Sequence, residues 1–419
     1  MSIDPWILAP ILVLLTLPAL ARQSRRENDR VLFWLLLVAL VLKFGGALLR
    51  HYVTFEVYNE ADAGAYHETG LALAPSLLAG DWGAIPRPLT DVNFVGFLTG
   101  LIYTVTGPST TSAFLVFAWL GFWGLFYFYR AFQLAVPEGR ARSYARLLFL
   151  LPSMLYWTSS IGKEAWMMFA LGIAAFGVAR VLTGAPGRGI GLAGLGLWFA
   201  ALVRPHIATI VAVGLVVAYV ARRPVGKQTP LAPIAKMITL VGLSAAVLVL
   251  FRDAEEYLTR SKVDPQAGVV SASQEISSRT FQGGSAFEPH PVMESPEEAP
   301  QAFFTVLFRP TIVEADNMQG MAAALEGSFL LLLSLVRIRW ALSALRYLRR
   351  RPYLVFAFVN VVLFITAFSV LANFGLLARQ RTLLMPLFLV FITIPPRDRA
   401  KEERSNDEAE LATVGAEAA

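Results

Sequence analysis

Four groups of residues in this chain have the types and spacing to do chemistry. The first is the acidic, aromatic run N-E-A-D-A-G-A-Y-H-E at 59–68, in which Glu60 and Asp62 precede Tyr66 and His67. A helix through this run places Asp62 and Tyr66, four positions apart, on one face. A carboxylate held among aromatics suits a general base for a hydroxyl nucleophile, with Tyr66 and His67 beside it to hold substrate. The plainer alternative is an ordinary solvated acidic loop.

The second group lies in L-P-S-M-L-Y-W-T-S-S-I-G-K-E-A-W at 151–166, where one apolar segment ends and another begins. Ser159 or Ser160 is the expected N-cap of the new helix, which puts Lys163 and Glu164 in its first turn. A lysine there opposes the helix dipole, and a bound anion removes the conflict. Helix-terminal N–H groups, the Ser160 hydroxyl and Lys163 together make a phosphate cradle. The competing reading has Lys163 snorkelling to an interface or pairing with Glu164. The third group, Arg204-Pro205-His206, joins two apolar segments with almost no loop, Pro205 fitting the first helical position. The fourth comprises Arg379-Gln380-Arg381 before the last apolar segment and Arg309-Pro310 after an aromatic helix. Arginines confined to such edges either anchor headgroups or bind phosphate or carboxylate.

The elements that must position these groups are apolar helices. The chain has 419 residues, 56% hydrophobic and only 16% charged, with a mean hydropathy of +0.57. Runs such as 31–49, 113–127, 237–250 and 354–371 are nearly uninterrupted by charge. In lipid a helix satisfies its own backbone, and basic loops stay cytoplasmic. Arginines gather at 22–30, 130–146, Arg188, 222–227, 337–351 and 397–404, in every second connection. The expectation is an all-α, polytopic transmembrane bundle of about eleven spans, multi-pass in a bacterial inner (plasma) membrane, with the N-terminus outside and the C-terminus cytoplasmic. That count treats Phe94–Thr106 as a re-entrant or interfacial helix, and the segments at 148–157 and 191–203 are short for spans. The first apolar stretch lacks a basic leader and has Asp4 before it, so it reads as a retained span.

Residues 1–396 form the expected transmembrane domain. Two extracytoplasmic segments interrupt it, at about 50–93 and 252–320. The early part of the second, 261–278, is expected to be mobile or a short surface helix. Its P-Q-A-F-F-T-V-L-F-R-P stretch at 300–310 has helical apolar spacing and is expected to lie on the membrane surface. Residues 397–419 form a cytoplasmic tail without apolar periodicity, expected to be disordered. The formal charge of +6 follows from positive-inside loops, and no aromatic-interleaved basic domain points to nucleic acid. Cysteine is absent, which excludes disulfides and thiol chemistry. There is no Walker loop, dinucleotide glycine pattern, internal repeat or metal-binding histidine pair.

The D-x-x-x-Y-H run, P-S-x-x-x-W-x-S-S-x-x-K-E, R-P-H and L-F-R-P-x-x-x-E-A, spread over about 50–385, resemble bacterial multi-spanning proteins of cell-surface polysaccharide assembly. Those proteins are similar to GT-C glycosyltransferases and to O-antigen-type repeat-unit polymerases. The resemblance implies a polyprenyl-phosphate-linked sugar donor, a glycan acceptor and an extracytoplasmic reaction. It further implies Asp62 as base, and Lys163, Arg204 and Arg379 on the lipid phosphate. The chain departs from the pattern in two ways. The acidic loop follows the second span rather than the first, and Ala61 separates Glu60 from Asp62, which leaves the base and any divalent metal open. The expected partners are the lipid donor, the glycan acceptor and membrane lipids, with no nucleic acid. A repeat-unit polymerase is the rival within this class, and a transporter or flippase of lipid-linked glycans the rival outside it. Against transport, the ionisable groups cluster at one membrane face, and no paired broken spans occur in matching halves.

Overall fold

The computed structural model describes residues 3–58, 61–222, 232–260, 263 and 268–396. All secondary structure among them is helical, apart from an isolated bridge between Ala286 and Asn373. Glu60, the basic positions 223–227 and the 397–419 tail lie outside the described residues. Seven helices are long and apolar enough to cross a bilayer: Pro5–Glu27 (α1), Arg30–Tyr52 with its π-helical continuation to Val57 (α2), Thr110–Ala135 (α5), Lys163–Leu182 (α8), Ala232–Arg260 (α11, over its Lys236–Arg260 stretch), Met318–Val336 (α14) and Phe374–Phe391 (α17). An eighth is obtained if Ile338–Tyr347 (α15) and Pro352–Phe368 (α16), bent by 120° at their junction, count as one span. The chain is therefore built as a multi-pass membrane protein, and length and composition alone support fewer than eleven full crossings. Trp6, Leu14 and Leu15 on α1, Ile238 and Leu248 on α11, and Leu332 on α14 are all more than half exposed. Such apolar faces match lipid, not water.

Shorter helices fill the bundle: Ala141–Leu150 (α6), Pro152–Tyr156 (α7), Pro186–Ala201 (α9) and Pro205–Ala221 (α10). Small residues let backbones approach where these elements meet the long helices. A Cβ on Gly172 of α8 would lie 2.2 Å from the Gly124 carbonyl oxygen of α5, and one on Gly196 of α9 would lie 2.4 Å from the Ala174 amide of α8. Either addition would force the helices apart.

Backbone contacts sort the helix ends into two sets. At one end the Ile3 amide donates to Thr106 (2.7 Å), the Asp91 amide to Leu202 (2.7 Å) and the Phe374 amide to Ser285 (2.9 Å). At the other, Arg140 donates to the Thr393 carbonyl (2.9 Å), Arg142 pairs with Asp29 (2.5 Å) and Arg351 with Glu138 (2.6 Å). The basic clusters of 22–30, 130–146 and 337–351 thus share one end, while Asp62, Lys163, Arg204 and Arg379 share the opposite one.

The supposed loop at 50–93 is largely helical. Ala61–Leu78 (α3) packs against Asp91–Thr106 (α4), with Thr69 against Gly96 and Thr99 against Gly70. The second long segment starts later than expected, because α11 continues to Arg260. It contains Val269–Thr280 (α12) and Ala299–Phe308 (α13), and α13 buries Thr305, Val306, Leu307 and Phe308 while Phe303 and Phe304 stay exposed. Arg381 holds that buried end. It is fully enclosed and donates to the Leu307 and Arg309 carbonyls, both at 2.9 Å, which satisfies the C-terminal end of α13.

A break between α6 and α7 at Leu151-Pro152 is held by two enclosed charges. Glu326 of α14 accepts the Ser153 amide at 2.6 Å, at the N-terminal end of α7. Lys43 of α2 donates to the Met154 carbonyl (2.8 Å) and the Thr158 hydroxyl (2.6 Å), at its C-terminal end. Acid at the N-terminus and base at the C-terminus both complement the short helix's dipole, and apolar surroundings strengthen them. Replacing Glu326 by Leu leaves the enclosed Ser153 amide without its acceptor, and replacing Lys43 by Met removes one of the two hydrogen bonds that the Met154 carbonyl accepts, the other coming from Thr158. Each change should cost about 1–3 kcal/mol, read as a lower thermal midpoint in detergent. An unchanged midpoint in both variants would show that α7 needs neither clamp.

Candidate active site at the carboxylate-bearing end

The site is organised by Glu164. It follows Lys163 at the start of α8, is 2% exposed and sits between two guanidiniums. Arg204 donates to one of its oxygens at 2.8 Å and Arg379 to the other at 3.2 Å. Arg204 caps α10 just ahead of Pro205, which occupies the first helical position as its fixed φ predicts, and its other Nη donates to Gln380 at 2.8 Å. Arg379, in the second turn of α17, reaches onward to Asp62 at 3.5 Å. Four elements distant in sequence therefore meet in one chain of charges: Arg204, Glu164, Arg379, Asp62.

Asp62 is the exposed terminus of that chain, its side chain 68% accessible in the first turn of α3. Tyr66 lies one turn further on and is buried. Burial first, then the nearby Asp62, Glu164 and Asp91, push its hydroxyl pKa up against the opposing pull of Arg379, so it remains a protonated donor. The expected shared face of Asp62 and Tyr66 is thus present. His67 turns away and hydrogen-bonds the Tyr103 hydroxyl at 2.7 Å, which ties α3 to α4.

Several cations expected to be free are already engaged. Lys163 pairs with Asp91 at 2.5 Å, not with Glu164, so its conflict with the helix dipole is relieved by an aspartate from α4. The N-cap of α8 is Gly162, which makes no side-chain cap bond, and neither Ser159 nor Ser160 takes that role. Both serines are buried in the turn before it. Arg204 has an enclosed carboxylate partner, Glu164. Arg309 is bidentate on Glu314, at 2.9 and 3.2 Å through Nε, and lies over the Phe287 and Phe374 rings. His206 is packed inside against Tyr257 and Phe368, and its Nδ1 is buried without a partner. Arg381 serves α13, as described. Among the described residues, no three His, Asp or Glu side chains gather as a metal-ligand set.

Beside this network is a cavity of about 410 Å³, bounded by the end of α2, Trp157, the N-terminus of α14 and the N-terminus of α17. Arg379, whose guanidinium touches Asp62, is part of its wall. Opposite lies Arg50, a residue that sequence reasoning passed over. Its guanidinium sits 4.9 Å from the Tyr156 ring centre and 4.8 Å from that of Trp157, and it donates to the Tyr156 hydroxyl at 3.0 Å. The one signal for it was positional: Arg50 is a basic residue at the end of a span where acidic residues otherwise prevail.

Comparison of the chain with protein-family models, with curated proteins and with solved structures found no match.

Proposed function

We propose that the chain is an integral membrane glycosyltransferase that takes sugar or oligosaccharide from a polyprenyl-phosphate-linked donor during cell-surface glycan assembly. The observation that carries this reading is the position of Arg379: its guanidinium contacts the exposed Asp62 carboxylate, and the residue is part of the wall of the neighbouring cavity. A base for an acceptor hydroxyl and a cation for a phosphate leaving group are thereby neighbours. Asp62, or Glu60 beside it, takes the proton as the hydroxyl oxygen attacks the anomeric carbon. The bond from that carbon to the phosphate oxygen breaks, and the electron pair leaves with the phosphate, whose charge Arg379 offsets. Positive charge fixed before the reaction stabilises the leaving group without reorganisation.

A repeat-unit polymerase would use the same steps on a longer donor. Transport is less well supported, because the enclosed Lys43 and Glu326 bind the backbone of α7 and Arg381 that of α13, so none of them lines a passage.

In the membrane, the proposal places the carboxylate-bearing end outside and the arginine-rich end in the cytoplasm, with α6–α7, α9, α10 and α16 completing eleven crossings. Single cysteines test this cleanly, since the chain has none of its own. An impermeant thiol reagent applied to intact cells should label Val270→Cys and leave Arg349→Cys unlabelled. The reverse pattern would invert the protein and remove the reading with it.

A further inference from the structure

We infer that the cavity between Arg50 and Arg379 is a binding site for a phosphoryl anion. Four features converge on it. First, no aspartate or glutamate lines its walls, whereas two arginines do. Arg379 already shares its charge with Glu164 and Asp62, but Arg50 forms no ion pair among the described residues, so it supplies an uncompensated positive charge. Second, polar atoms are left waiting: Nε of Arg50 and Oγ1 of Thr54 are buried without hydrogen-bond partners, and Thr54 is only 3% exposed. Buried polar groups are nearly always satisfied, so orphans on the wall of one cavity indicate a missing acceptor-rich ligand. Arg50 and Thr54 are one turn apart and present these atoms from one face of the α2 end.

Third, two long helices begin here. Asn317 caps α14 by accepting from the Gly320 amide at 2.8 Å, and Asn373 caps α17 by accepting from the Leu376 amide at 3.1 Å. Among the described residues, the amides of Gln319 and Gly375, both on the cavity wall, find no acceptor. Two positive dipole ends therefore add to the two guanidiniums. Fourth, the Arg50 guanidinium sits 4.9 and 4.8 Å from the Tyr156 and Trp157 ring centres and donates to the Tyr156 hydroxyl, contacts that restrain it before any ligand arrives. An oxyanion with several acceptor oxygens satisfies all of these groups together, and a phosphate ester or diphosphate is the chemistry with enough of them. The volume leaves room for the group esterified to it. The site goes beyond the transfer reading, since binding needs no reaction at Asp62. The phosphoryl group can belong to a lipid headgroup or to a free anion.

Purified full-length protein in detergent, titrated calorimetrically with inorganic diphosphate and separately with polyprenyl phosphate, tests the site. Wild type should bind at least one of the two, and Arg50→Gln should weaken that binding by about 10-fold to 100-fold, the range for a lost charge-assisted hydrogen bond. Gln319→Glu is the second variant. An acid in the first turn of α14 suits the helix, so the protein should fold, yet its charge repels an anion from the cavity. It too should bind less tightly. Binding of both probes in competition assigns a general phosphoryl site, and binding of the lipid alone assigns a headgroup site. Failure of wild type to bind either probe, or equal binding by wild type and both variants, overturns the inference. Asp62→Asn separates it from the transfer reading, since the variant should bind diphosphate as wild type does whatever happens to transfer, and binding by a wild type that transfers no glycan would leave the anion site standing and remove the enzyme.

Discussion

Asp62→Asn should lower glycan product formation by about 100-fold to 10,000-fold while leaving protein abundance and donor binding close to wild type, because a general base contributes that much to rate. The substitution is nearly isosteric and its side chain is largely exposed, so little folding energy depends on it. Among the described residues its only ion-pair contact is the 3.5 Å approach to Arg379, and Arg379 keeps Glu164 when Asp62 is neutralised. Glu60→Gln, assayed beside it, assigns the base. Full activity in Asp62→Asn with loss in Glu60→Gln would transfer the role to Glu60. Full activity in both would remove carboxylate catalysis from this end of the bundle. A transporter gives a different result again, since moving a lipid-linked glycan abstracts no proton, and both variants would keep their flux.

The largest stability effect should come from Glu164→Gln. That carboxylate is enclosed and neutralises two guanidiniums at once, and taking one partner out of a buried ionic group leaves uncompensated charge worth about 3–5 kcal/mol. Against a total stability of about 5–15 kcal/mol for a typical protein, this is a large share. Lys163→Ala provides the contrast. Its partner Asp91 is 32% exposed, water screens the pair, and the loss should be about 1 kcal/mol or less. Thermal midpoints in detergent should therefore fall far more for Glu164→Gln than for Lys163→Ala. Equal shifts would mean that Glu164 does not organise the site.

The contrast between these two neighbours also shows what the amino-acid order could and could not reveal. Local rules worked where local physics decides. Pro205 begins α10 because its φ is already helical, Asp62 and Tyr66 share a face because they are four apart, and the arginine clusters at 22–30, 130–146 and 337–351 lie together at one end. Counting spans was harder. Helices such as α9, with 16 residues, and the interrupted α6–α7 pair are too short to announce themselves as crossings, and α7 is held by charges from α2 and α14 that no local window contains. The site was legible as a set of residues but not as a set of pairs. Glu164 finds Arg204 forty positions away and Arg379 two hundred and fifteen away, and Lys163 takes Asp91 from a helix that had looked like part of a loop. Opposite charges separated by that much chain carry no sequence signal of their partnership. Arg50 was missed for the same reason: its importance comes from the ends of α14 and α17, which arrive from the far side of the fold.

The most direct measurement of the central claim is glycosyl transfer by the purified wild-type protein in liposomes, with a radiolabelled polyprenyl-phosphate-linked glycan and an acceptor supplied at the Asp62-bearing face. The account predicts that label leaves the lipid and appears in acceptor product, at a rate that depends on Asp62. Label that stays on the lipid and crosses the bilayer intact would contradict it and establish transport in its place.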